Sequence, residues 1–232
     1  MKEIMKRLEA IVAKGHRPQQ VFDDWVHLMT YALMRDDKQY LEVMSRYRNE
    51  GEKGRREADH FAAAFGLLMK KMAETNEEVL GEIYETWELQ NKYSGQYFTP
   101  WPVCEMMARM TGAPAAGQSI SDPCCGSGRM LIATCKLTPA TDLDTITFVG
   151  QDVDEVCALM CALNFTFFNL NGFVYIGNSL GNEVRRAFQT QRSYLGGSIR
   201  EIDPPPMPEV KEKAEQSKPV PAMKQILQQS LF

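Results

Sequence analysis

Val21, Trp25, Leu28, Met29, Ala32 and Leu33 fall on one side of a 3.6-residue repeat that opens behind Pro18. The repeat resumes with Tyr40, Leu41, Met44 and Tyr47, then Phe61, Ala64, Phe65, Leu68, Met69 and Met72, then Val79, Ile83, Tyr84 and Trp87. This spacing predicts an all-helical region over residues 1–91, its aromatic and Met stripe serving as core. Beyond Lys92 the pattern changes. Short runs at 118–121, 145–149 and 173–176 read as strands, and the apolar stretches after Gly128 and over 155–170 read as helices. Strand, helix, strand, helix, strand predicts an α/β sheet over 92–202. From Asp203 onward Pro, Lys and Glu dominate. Residues 203–232 therefore read as a flexible tail without a core of its own.

Composition refines this picture. With 232 residues the chain holds one α/β unit plus a helical region. No run of about eighteen apolar residues exists, and the amphipathic start lacks a signal peptide's apolar segment, so a cytoplasmic location off the membrane is expected. The net charge of −4 argues against nucleic-acid binding by bulk charge, so any DNA contact is local or assisted. The six cysteines include adjacent Cys124 and Cys125 but no C-x-x-C pair, which predicts packing thiols and no metal site. His16, His27 and His60 are scattered through the helical region and receive no catalytic role.

The chemistry concentrates around Asp122-Pro123-Cys124-Cys125-Gly126-Ser127-Gly128. A strand runs into an acid and a proline, a glycine turn follows, and a helix begins. Gly126 and Gly128 permit a sharp turn and close approach of a ligand. The helix start supplies unpaired N–H groups and a positive dipole end. Neither the G-x-G-x-x-G nor the G-x-x-x-x-G-K-[ST] spacing is present, so this is not a dinucleotide fingerprint or a phosphate loop.

The string DPCCGSGRMLIA resembles the D-P-[AC]-C-G-S-G-x-[FLM]-L loop of the adenine-N6 DNA methyltransferases, in the modification-subunit type of type I restriction systems. The resemblance extends over roughly 92–180. Gly95-Gln96-Tyr97-Phe98-Thr99-Pro100 is similar to the family's G-Q-[FY]-[FY]-T-P, which closes over the methionine end of S-adenosylmethionine (SAM). Pro100 suits a first helical turn, and Thr99 is expected to cap it. Gly177-Asn178-Ser179-Leu180 is similar to G-[DN]-[ST]-L, whose polar side chain meets the adenine of SAM. An acid closing the second strand suits ribose hydroxyls, which selects Asp152, with Asp154 as the cap of the following helix. The resemblance thus implies a Rossmann-like SAM-dependent methyltransferase sheet, incomplete here, with SAM held by Phe98, Thr99, Asp122, Cys124, Gly126, Gly128, Asp152 and Asn178. It implies DNA as substrate and a specificity or completing subunit as partner.

The family's catalytic [NDS]-P-P-[FYW] is absent; the nearest string is Asp203-Pro204-Pro205-Pro206, which lacks the aromatic that stacks on a flipped adenine. Asp203 is the one candidate for the acceptor that polarises the adenine amine. Two readings stay open: a methyltransferase, and a SAM-binding or DNA-associated module that has lost its chemistry. Arg46, Arg48, Arg55 and Arg56 form the best local basic patch for DNA phosphates. The last residues, Gln228-Gln229-Ser230-Leu231-Phe232, resemble the peptide by which bacterial replication proteins attach to the sliding clamp. That resemblance implies Gln228, Leu231 and Phe232 as clamp contacts.

Overall fold

The computed structural model describes residues 1–89 and 97–204. The first part is helical as the periodicity predicts: α1 (Lys2–Val12), α2 (Pro18–Met34), α3 (Asp37–Met44), α4 (Glu57–Thr75) and α5 (Leu80–Thr86). Local chemistry marks the ends. Proline opens α2, and Arg35 closes it in the left-handed conformation. The Asp36 carboxylate accepts the Gln39 N–H at 3.0 Å and starts α3.

Burial departs from the single stripe at informative places. Helix α2 buries Phe22, Val26 and Tyr31 besides the predicted Trp25 and Met29, whereas Ala32 is exposed. Its neighbours explain this: α1 and α3 pack on it from the helical side, and two elements of the sheet layer from the other. In α3, Leu41 is exposed and Val43 takes the buried position.

The second part is built on five strands, β1 (Ser119–Asp122), β2 (Thr147–Asp152), β3 (Gly172–Ile176), β4 (Arg186–Gln191) and β5 (Ser198–Ile202), in that spatial order. Helix α6 (Trp101–Thr111) precedes β1, while α7 (Arg129–Leu137) and α8 (Glu155–Phe167) make the crossovers. Strands β1, β2 and β3 are parallel; β4 and β5 then run antiparallel beside β3. Strand β4 has no counterpart among the predicted strands, because Ala187 and Phe188 are too short an apolar run to stand out. This meander places the late strands at the β3 edge. Among the described residues β1 pairs with β2 alone.

Helix α8 is buried continuously from Cys157 to Thr166, as befits a helix between two layers. One side rests on the sheet and the other on α2 and α5. Helical region and sheet therefore share one hydrophobic core, from Ile4 and Trp25 through Phe165 to Phe148 and Phe188. Helix α6 turns its small residues inward. Cys104 and Ala108 face α7, and Val103, Met106, Met107 and Met110 are exposed. Small residues win the contact because they let the two helices approach closely. No helix among the described residues is long and apolar enough to cross a membrane.

Candidate active site

The parallel strands β1, β2 and β3 end side by side, and the loops leaving them line a cavity of about 360 Å³, within the range of small-molecule sites. Four segments far apart in sequence meet there: 97–99, 122–130, 152–157 and 177–180. Of the residues predicted to hold SAM, Phe98, Thr99, Asp122, Cys124, Gly126, Asp152 and Asn178 all line the cavity.

The glycine loop is held by acids on both strands. Asp122 accepts the Cys124 N–H at 3.0 Å, an Asx turn that begins the loop. Asp152 Oδ2 accepts the Gly126 N–H at 2.8 Å, and its Oδ1 accepts the Asp154 N–H at 2.9 Å. Burial pushes the Asp152 carboxyl above the ordinary range, against the pull of these two N–H donors. Asp154 caps α8 through the Cys157 N–H at 2.9 Å, as the sequence predicts. Gly126 sits at φ +52°, and a Cβ there would lie 3.1 Å from the Phe98 ring. Gly128 does not line the cavity. It turns the chain into α7 at φ +85°, where a Cβ would meet Cys161 Sγ at 2.8 Å. The free thiols of Cys161 and Cys125 are hydrogen-bonded, and this contact with burial holds the Cys125 thiol well above its usual pKa, as a neutral packing group.

Other predicted roles change in detail. Thr99 does not cap α6; the cap position is Pro100, without a side-chain bond. The Thr99 carbonyl instead accepts Arg129 Nη1 at 3.3 Å. Asn178 Oδ1 is committed to the N–H groups of Leu180 at 3.0 Å and Gly181 at 3.2 Å, so its amide nitrogen is the group left to face a ligand. Asp203 follows β5, two strands beyond β3, and lies in a separate depression with Arg185, Arg186 and Arg200. The antiparallel meander carries it away from the cavity rather than to the β1 side. In the basic patch, Arg46 pairs with Asp24 at 2.6 Å, Arg56 with Asp59 at 2.8 Å and Arg55 with Glu52 at 3.5 Å. Arg48 is exposed, its backbone N–H donating to Glu57. Much of that positive charge is thus compensated. Gln228, Leu231 and Phe232 lie outside the described residues.

Residues that sequence reasoning missed complete the cavity. Val153 is 64% and Leu180 98% exposed, an apolar pair at its mouth. Their positions, directly after Asp152 and ending the Gly177–Leu180 turn, were the available signal. Arg129, read only as part of the loop string, is buried. Its Nε donates to Glu78 Oε2 at 2.8 Å and its Nη2 to Glu85 Oε2 at 2.7 Å. Burial works against its charge, but the two carboxylates outweigh this and raise its pKa. Nothing in the sequence pairs residues about fifty positions apart.

Residues 58–193 match the family model described as N-6 DNA Methylase. The type I restriction enzyme MjaVIII methylase subunit of Methanocaldococcus jannaschii is 30% identical over 142 residues, covering 58% of this chain and 24% of that protein. The type I restriction enzyme MpnII methylase subunit of Mycoplasma pneumoniae is 26% identical over 100 residues, covering 40% of this chain and 18% of that protein. The matched regions thus span about a quarter or less of these relatives' length. A solved type I restriction-modification methyltransferase subunit from Streptococcus thermophilus matches at a TM-score of 0.35 and 16% identity, over 66% of this chain and 37% of that one. The family match covers more than half the chain, includes nearly all of α4, all of α5 and the glycine loop, and takes in every residue lining the cavity: the chain belongs to the N-6 DNA methylase family.

Proposed function

We propose that the cavity binds S-adenosylmethionine and that the protein is the SAM-binding part of an adenine-N6 DNA methyltransferase. The observation that carries this reading is the convergence of four separate segments on one cavity, with Asp152 ending the second strand. The residues present fit the group. Asp152 keeps acceptor capacity for ribose hydroxyls beyond its two N–H bonds. The exposed Val153 and Leu180 offer apolar faces for the adenine ring, and the Asn178 amide nitrogen offers a donor to its edge. The start of α7, with its unpaired N–H groups, suits a carboxylate. Phe98 and Thr99 form the wall on the methionine side. When bound, SAM supplies an electrophilic methyl group on a sulfonium.

The chain's own residues bind and orient this donor. Asp203, the candidate acceptor for an adenine amine, is not among the residues lining the cavity. In doubly wound sheets the binding crevice lies where a further parallel strand joins the first. The outer edge of β1 is unpaired among the described residues. A completing polypeptide beside β1 would supply the missing acceptor and the stacking aromatic. Titration calorimetry with SAM tests the first part: one site per chain is expected, and no binding to the folded protein refutes it. Transfer of labelled methyl to adenine in DNA tests the second, with activity expected on adding a methylase-family fragment that carries the tetrapeptide.

A further inference from the structure

We propose that α5 and the turn that leads into it, through Arg129, set the affinity of the cavity by positioning its Phe98–Thr99 wall. This rests on the SAM reading above. Glu78 lies in the turn just before α5, and Gly81, Tyr84 and Glu85 follow on one side of the helix. All four meet the cavity's supports. Glu78 and Glu85 each take one side of the Arg129 guanidinium. The third side of that guanidinium donates to the Thr99 carbonyl, and the group lies 5.5 Å over the Phe98 ring. Tyr84 packs edge-on against the same ring at 5.6 Å. At Gly81 the helix approaches the glycine loop so closely that a Cβ would meet Ser127 Oγ at 2.5 Å.

Glu78 is the centre of this arrangement. Its side chain is fully buried. Its Oε1 accepts the Gly81 N–H at 2.6 Å and Asn164 Nδ2 at 3.0 Å. Asn164 Nδ2 also donates to the Ser127 carbonyl at 2.8 Å, inside the glycine loop. One carboxylate therefore braces the loop on one side and, through Arg129, the aromatic wall on the other. Charge-assisted bonds from three different nitrogens of one planar guanidinium fix its geometry as well as contribute energy. Neither Glu78 nor Glu85 lines the cavity, so they act as positioning residues. In this arrangement the helical layer is part of the SAM site.

Glu78→Gln keeps the shape but leaves an amide where the carboxylate took donors from both sides. At a temperature where all proteins are fully folded, SAM binding should weaken at least tenfold. Val43→Ala, in the buried face of α3 away from the cavity, serves as a control that lowers the melting temperature without touching the wall. It should bind SAM within twofold of the wild type. The Glu78→Gln and Phe98→Leu effects should combine to less than their product, because both act on one wall. If Glu78→Gln does not fold, Glu85→Gln removes one Arg129 contact at a partly exposed position and should still weaken binding three- to tenfold. Binding by the folded variant within twofold of wild type, or full independence from Phe98→Leu, overturns the proposal. Failure of the wild type itself to bind SAM overturns the SAM reading instead.

Discussion

Asp152→Asn replaces one carboxylate oxygen by a nitrogen and leaves the volume unchanged. In the structure both oxygens already take backbone donors, Gly126 N–H at 2.8 Å and Asp154 N–H at 2.9 Å. Asn offers one acceptor, so one of these donors faces an amide NH₂. Losing a hydrogen bond to a charged group costs about 1.5–3 kcal/mol. Ionising the buried carboxyl opposes folding above its unfolded pKa, because the folded pKa is raised. Asn relieves that cost, so the loss of stability is smaller than the bond alone suggests. The affinity loss is separate: a ribose hydroxyl left without its charged acceptor costs about 1–3 kcal/mol, roughly 5- to 150-fold in Kd. Calorimetry with SAM well below the melting temperature reads this directly. The same titration against pH adds a second arm. The ionised form accepts the hydroxyls, so wild-type affinity should fall as pH drops through the raised pKa, starting above the ordinary carboxylate range. The Asn variant should lack that component. Binding by the Asn variant within twofold of wild type, or an identical pH dependence in both, refutes the reasoning.

Asp23 is half-buried on α2, and burial first, then Asp154, raises its carboxyl to about 6. Its ionisation therefore costs the fold stability as pH rises from about 4 to 6, and Asp23→Asn should stabilise by about 1–2 kcal/mol at pH 8 but not at pH 4, measured by urea unfolding. Gly128→Ala puts a Cβ at φ +85° against Cys161 and should cost about 1–3 kcal/mol of stability in thermal unfolding; an unchanged melting temperature would contradict the packing described. Cys124 is the exposed thiol of the six, and it lines the cavity. A thiol reagent should label this position first in the native protein, and saturating SAM should slow it; labelling unaffected by SAM counts against the proposed occupant.

Much of the cavity was legible in the chain because its contacts are local. The Asp122–Gly128 loop is a strand end, an Asx turn and a helix start within a few residues, and the strands behind Asp152 and Asn178 end by the same short-range rules. Parallel pairing of β1, β2 and β3 then brings those ends together, since each α-helical crossover returns the chain in the same direction. Periodicity also located the helices of the first part, apart from their exact buried faces. A helix such as α2, enclosed on several sides, buries residues that no single stripe contains. Tertiary structure alone decided three things. It turned the stretch after β3 into an antiparallel meander, which carried Asp203 away from the cavity although its D-P-P is the string nearest to the family's tetrapeptide. It turned α6 so that Cys104 and Ala108, not its methionines, meet α7. And it joined Glu78 to Arg129, because a buried ion pair between residues far apart in sequence has no local signature: each charge looks like surface until packing removes the water around it.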